Sequence, residues 1–159
     1  MRILVVSDTH RKNDNYLRVV EEAGHLDMVI HCGDVEGSEY SICTGAGCPV
    51  EMVSGNNDFF SELPREKEIR LGKHRIFITH GHNYYVSMNN EILKQEARDR
   101  EADVVIYGHT HRPLIERNAD ILVMNPGSIS YPRQEGKRPS YIIMEVSDKG
   151  EIQAEIHYL

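Results

Sequence analysis

At 159 residues, with 40% hydrophobic and 27% charged side chains, the chain has the size of one ordinary domain and can bury a core without disulfides or a structural metal. Eighteen Lys and Arg against 25 Asp and Glu leave a formal charge of −7, which works against sequence-independent binding to nucleic-acid phosphates. No apolar run approaches the roughly 20 residues needed to cross a bilayer, and Cys32, Cys43 and Cys48 lack the spacing of a disulfide frame or a thiolate zinc site.

Residues 2–6 are expected to form a strand buried on both faces, too short and too poorly flanked for a secretory apolar segment, which places the protein in the cytoplasm, where the three cysteines are expected to be reduced. A helix from Asn15 to Ala23, with Leu17, Val20 and Ala23 on its apolar face, stops at Gly24. Met28 to Cys32 is a second buried strand ending at Gly33-Asp34, and Val50 to Val53 a third ending at Ser54-Gly55-Asn56-Asn57-Asp58. The Gly-rich stretch between them is too short for a long helix.

Lys67–Leu71 and Arg75–Ile78 flank Gly72-Lys73 as a hairpin whose second strand runs into His80-Gly81-His82. Asn89 to Arg100 is a helix with Ile92, Leu93 and Ala97 on one face, and Val104 to Tyr107 is a further buried strand ending at Gly108-His109-Thr110-His111. From Leu114 onward the chain is strand-like, including 121–124, 140–146 and 152–158. No linker or repeat interrupts it, so residues 1–159 are expected to form one mixed α/β domain layered around sheets.

Five apolar strands thus end in polar motifs of metal-ligand type: Asp8-Thr9-His10, Gly33-Asp34, Gly55-Asn56-Asn57-Asp58, His80-Gly81-His82 and His109-Thr110-His111. Each alone passes for a turn, but sites in open α/β sheets lie beyond the carboxyl ends of parallel strands, so the recurrence gathers all five on one rim. Alternate residues at a strand end point the same way, so both members of Asp8-x-His10 and of His109-x-His111 are expected to face one cluster. Imidazole with carboxylate and amide oxygen, without thiolate, suits manganese, nickel, iron or zinc. Two such ions need a bridging group, and the isolated Asp34 is the candidate.

These motifs resemble, in order and spacing, the calcineurin-like metallophosphoesterases. Asn125-Pro126-Gly127-Ser128 followed by Pro132-Arg133 is similar to their small single-domain bacterial and archaeal phosphodiesterase branch. The resemblance implies a two-sheet mixed β-sandwich flanked by helices, with two divalent metal ions, manganese first among them. One ion would be held by Asp8, His10, Asp34 and His111, the other by Asp34, Asn56, His80 and His109. It also implies in-line attack of a metal-bridging hydroxide on a small phosphate-ester substrate, most readily a diester. A phosphomonoester or protein phosphate is the alternative substrate. The non-catalytic retromer scaffold subunit resembles the same fold and is the alternative outside enzymes.

Many relatives carry His where this chain has Asn57, and an amide donates a hydrogen bond but transfers no proton near neutral pH. Asn57 and His82 are therefore the candidate catalytic side chains, with His82 or water as the source of the leaving-group proton. Thr9, Thr110 and Asp58 are expected to brace the ligand loops, and Arg11 and Arg112 either meet phosphate oxygens or stand in solvent. His25, His31, His74 and His157 lie off the motifs and carry no assigned chemistry. Apolar residues on the terminal strands fit ordinary sheet packing and a homo-oligomer equally.

Overall fold

Ile3 and Val5 point to one side of the first strand and Leu4 and Val6 to the other, and both sides meet an apolar layer. This strand, β1 (Arg2–Val6), lies in the middle of the first of two five-stranded sheets in a computed structural model that describes residues 1–159. The elements that follow are α1 (Asp14–Ala23), β2 (Met28–His31), α2 (Glu39–Ala46), β3 (Val50–Met52), β4 (Glu66–Leu71) and β5 (His74–Thr79). A single 3-10 turn at His82–Tyr84 leads to α3 (Glu91–Asp99), then β6 (Val104–Ile106), β7 (Pro113–Arg117), β8 (Leu122–Pro126), β9 (Ser140–Val146) and β10 (Ile152–Tyr158).

The first sheet has the order β10-β9-β1-β2-β3 and the second β4-β5-β6-β8-β7. Each holds three parallel strands, β1, β2 and β3 in one and β5, β6 and β8 in the other, flanked by antiparallel partners. Ile3, Val5, Ile30, Ile76, Ile106 and Met124 pack between the sheets. Leu4 and Val6 pack outward against α1 and α2, while Phe77 and Val105 pack against α3. Each such side chain contributes roughly 1.5–3 kcal/mol of transfer free energy, which explains why parallel strands read as unbroken apolar runs. The two-sheet sandwich with helices outside is the expected fold.

Two helical faces differ from expectation. In α1 the buried residues are Tyr16 and Val19, while Leu17 is 40% exposed. Tyr16 can turn inward because its hydroxyl donates to the Ile42 carbonyl oxygen at 3.0 Å, which removes the penalty of burying a phenol. In α3, Leu93 and Ala97 are buried as expected but Ile92 is not, and Lys94 takes its place, its stem covered and its ammonium paired with Glu91 and Glu116. The Gly-rich stretch holds the two-turn helix α2, closed by Gly47 in the left-handed region at φ 65°. No helix is long and apolar enough to cross a membrane.

The carboxyl ends of the parallel strands meet at the seam between the sheets. His80 Nδ1, beyond β5, lies 2.7 Å from the Cys32 carbonyl oxygen, beyond β2. The His109 amide donates to Asp8 Oδ2 at 3.1 Å, and Ser128 Oγ, beyond β8, donates to the Asp8 carbonyl oxygen at 2.8 Å. All five polar motifs therefore converge on one rim, as their placement in the sequence predicts.

Candidate metal centre

The strands stop where they do because the backbone turns left-handed at the polar residues. Asp8, His10, Asp34, His109 and His111 all have positive φ, between 45° and 66°. For residues with a Cβ this conformation costs roughly 1–2 kcal/mol each, and its repetition at five neighbouring polar side chains marks a site whose geometry is held by its surroundings. Glycine supplies the room: a Cβ on Gly33, at φ 99°, would lie 2.7 Å from Gly55 N and 2.8 Å from His80 Nδ1. Gly55 is equally constrained, since its Cβ would strike the Asp34 carboxylate.

Asp58 joins the two loops. Its Oδ2 accepts from the amides of Asp34 at 2.8 Å and Gly55 at 2.7 Å, and its Oδ1 from Val35 at 3.0 Å and Glu36 at 2.6 Å. Asn57 completes the clamp, donating from its backbone to Asp34 Oδ1 at 2.9 Å and from its side-chain amide to Asp34 Oδ2 at 2.7 Å. The expected bracing role of Asp58 is thus visible, and Asn57 touches Asp34 directly. Burial opposes ionisation of Asp34, but hydrogen bonds from His80 and Asn57 and the charge of His80 hold its carboxyl well below the usual carboxylate range.

Three imidazoles face these carboxylates with their outer nitrogens already committed. His80 Nδ1 meets the Cys32 carbonyl oxygen at 2.7 Å and His111 Nδ1 meets the Tyr131 carbonyl oxygen at 2.5 Å; a carbonyl only accepts, so the proton sits on Nδ1 in both. His10 Nδ1 meets Glu36 Oε1 at 2.6 Å, with the same consequence. Each ring therefore turns Nε2 inward, a bare lone pair in the neutral ring and, at His80 without a metal, the nitrogen that carries the proton shared with Asp34. His10 Nε2 and His111 Nε2 are 3.3 Å apart, and Asp8 Oδ1, fully buried and without a hydrogen bond, lies 3.1 Å from His111 Nε2 and 3.7 Å from His10 Nε2. Asp34 Oδ2 stands 3.7 Å from His10 Nε2 and 3.5 Å from His80 Nε2, between the two rings.

Acceptors that face acceptors in a buried pocket require a cation among them. Without a metal that cation is a proton, and although burial opposes it, the hydrogen bond and charge of Asp34 with the charge of Asp8 raise His80 to about 9. Burial likewise opposes ionisation of Asp8, yet His111 and His80 hold it low. Two groups offer ligand atoms within 4.8 Å of one another, Asp8 with His10 and His111, and Asp8 with Asp34 and His80. Asp8 is common to both, while Asp34 Oδ2 reaches both sets of rings, so either carboxylate is placed to be shared. Oxygen and imidazole donors with tautomers fixed from behind are the donor set that a divalent transition ion takes.

Asn56 and His109 form the outer flank. Asn56 Oδ1 lies 3.0 Å from His80 Nε2 and 2.9 Å from His109 Nδ1. His109 and His111 consequently face different groups, because the left-handed turn at both residues ends the strand alternation that would have aimed them together. His82 sits beside this flank, its ring 5.5 Å from His80 and 6.1 Å from His109, with Nδ1 buried and unpaired. Burial first, and then the charge of His80, push His82 below the usual histidine value.

Several supporting residues carry no signal in the sequence. His31, fully buried in β2, accepts the Gly33 amide at Nδ1 and meets Thr9 Oγ1 at 3.2 Å, tying two ligand loops together. Glu36 and the Tyr131 carbonyl orient His10 and His111 across 26 and 20 residues of chain. Thr110 accepts from Asn125 at 3.0 Å and braces its own loop, as expected. Arg11 is exposed and donates to the Glu36 carbonyl oxygen, Arg112 is exposed, and His25, His74 and His157 lie away from the centre on Asp27, Asp103 and Tyr141.

Comparison with known proteins agrees with this geometry. A probable metallophosphoesterase of Methanocaldococcus jannaschii is 34% identical over 98% of this chain and 80% of its own length. A protein of the same organism named as a phosphodiesterase is 30% identical over 80% of this chain and 83% of its own. Among solved structures, Vps29 of Entamoeba histolytica superposes with a TM-score of 0.80 at 24% identity, covering 100% of this chain and 99% of that one, a likeness of fold alone. Residues 1–149 match the sequence profile of the calcineurin-like phosphoesterase superfamily domain, and with its relatives at this level of identity the chain belongs to that superfamily.

Proposed function

We propose that residues 1–159 form one metallophosphoesterase domain that hydrolyses phosphate diesters with two divalent ions, manganese first among the candidates and nickel, iron or zinc next. One ion would be held by Asp8, His10, Asp34 and His111 and the other by Asp34, Asn56, His80 and His109. The observation that carries this reading is the set of inward-turned Nε2 atoms of His10, His80 and His111 aimed at the unpaired Asp8 Oδ1 and at Asp34 Oδ2. When bound, such ions neutralise phosphate oxygens and make water nucleophilic near neutral pH.

The chain's own residues do the rest. Glu36 and the carbonyls of Cys32 and Tyr131 hold three imidazoles in the tautomer a metal needs. Asn57 and Asp58 hold Asp34 in place. In hydrolysis the water oxygen bonds to phosphorus as the bond to the leaving oxygen breaks, and that oxygen takes up a proton. His82 and the second amide N–H of Asn57 are the groups beside the centre that can hold a proton or a hydrogen bond there.

The relative named as a phosphodiesterase supports a diester over a monoester or protein phosphate. A scaffold without catalysis would tolerate eroded ligand positions, and all seven here retain competent side chains. The test is a metal-by-substrate screen on protein purified without chelator, with metal content measured and both ester classes assayed. Asp34→Asn is expected to lower hydrolysis of bis-p-nitrophenyl phosphate about 100-fold or more. Undiminished hydrolysis by metal-loaded Asp34→Asn would refute the two-ion reading.

A further inference from the structure

Phe59 and Phe60 are 78% and 102% exposed, whereas Phe77, the only other phenylalanine, is fully buried. The two rings sit on the loop that follows Asn56-Asn57-Asp58 and belong to no core cluster. They wall a hollow of about 650 Å³ whose other walls include Arg11, Glu36, Asn57 and Leu63. Two of those walls touch the candidate centre, Asn57 through Asp34 and Glu36 through His10, and Arg11 is tied to the second by its bond to the Glu36 carbonyl oxygen at 2.7 Å. Phe59 also borders a second hollow of about 370 Å³ shared with Asn56 and His82. The hollows therefore begin where an ester arm would leave a phosphorus atom seated at the centre.

The chemistry of the first hollow selects among possible arms. Two exposed rings offer a face for stacking a flat group. The carboxylates of Glu39 and Glu62 in the same lining can accept hydrogen bonds from ring N–H and exocyclic amino groups, and with Glu36 and Asp58 they set four carboxylates against the single guanidinium of Arg11, a balance that disfavours a further phosphate. An acyl chain would leave those carboxylates unused, and a polyphosphate arm would meet four of them for one arginine. Building on the phosphodiester reading above, the geometry points to a nucleobase subsite: Phe59 and Phe60 receive the base of a nucleoside phosphodiester whose phosphate lies at Asp34.

Thymidine 5′-(p-nitrophenyl phosphate) and ethyl p-nitrophenyl phosphate share a leaving group and differ only in the retained arm, so their kcat/KM ratio reads the subsite. In metal-loaded protein the thymidine ester is expected to be favoured about 10-fold or more, mainly through KM, the size that base–aromatic stacking supports. Phe59→Ala with Phe60→Ala is expected to bring the ratio to near unity while leaving the ethyl ester unaffected, and the paired Tyr variants to keep it. A wild-type ratio near unity, or one that survives the double alanine variant, overturns the nucleobase subsite and leaves the metal centre standing. Failure to hydrolyse either ester with two ions bound overturns the phosphoesterase reading itself. If light scattering shows a dimer that the double alanine variant dissociates with the ratio unchanged, the rings are a contact between copies and the subsite is overturned.

Discussion

His10 and His111 meet Nε2 to Nε2 at 3.3 Å, with both outer nitrogens already donating elsewhere, so two lone pairs confront each other beside the unpaired Asp8 Oδ1. That arrangement is costly in the metal-free chain and favourable around a cation. Saturating Mn²⁺ is therefore expected to stabilise the fold, by about 4 kcal/mol at a thousand times Kd. In a domain of this size that raises Tm by roughly 8–16 °C. Differential scanning fluorimetry with and without chelator measures the shift. His111→Ala should lower the metal content measured by mass spectrometry by one ion per chain.

Asp58 collects four backbone amides from two loops, and an amide side chain cannot replace it. In Asp58→Asn the NH₂ group faces either the Asp34 and Gly55 amides or those of Val35 and Glu36, leaving two donors without an acceptor. A loss of about 2–4 kcal/mol is expected from urea unfolding. Hydrolysis should fall more than roughly tenfold, because the Asp34 carboxylate moves with its loop.

Asn57 spends one amide N–H on Asp34 and has one left for a leaving group, but no proton to transfer. Asn57→His supplies a group that titrates near neutral pH. Its rate on aryl phosphodiesters of graded leaving-group pKa should depend less steeply on that pKa than the wild type does. An unchanged dependence would place the leaving-group proton with His82 or solvent.

His31 links the Thr9 and Gly33 loops only as a neutral ring, since burial pushes it down to about 4. Above the unfolded value of about 6.5 neither state is protonated and nothing is lost. As pH falls from there toward 4, the unfolded chain binds a proton that the folded chain refuses, so stability declines through that window by a few kcal/mol. His31→Gln should be less stable at pH 7.5 and flatter below it. The difference between the two urea-midpoint curves, taken on chelated protein, isolates this histidine from those at the metal centre.

The strands and their polar endings are legible because a strand covered on both faces must be apolar throughout, so the first Asp or His after it announces the rim. The five polar motifs follow from that pattern, whereas the seven ligand positions within them are what the family resemblance implies; the structure brings those seven side chains to one rim. What orients them is invisible from sequence: Glu36 behind His10 and the Tyr131 carbonyl behind His111 are contacts made by tertiary folding. His31 looks like an ordinary strand residue until its two ring nitrogens are seen to serve different loops. Tyr16 shows the limit of helical periodicity, since one carbonyl partner on α2 decides which face of α1 is buried.

The polar motifs are divided between the two sheets: Asp8, His10, Asp34 and Asn56 follow strands of the first, His80, His109 and His111 strands of the second. Each proposed ion draws on both, and so acts as a rivet across the seam. If the proposed ligand sets hold, the sheets would not part without shedding their ions, and the ions would not be gathered before the sheets had met. On that reading, loading would report completed folding, because neither sheet alone carries a full set of ligands.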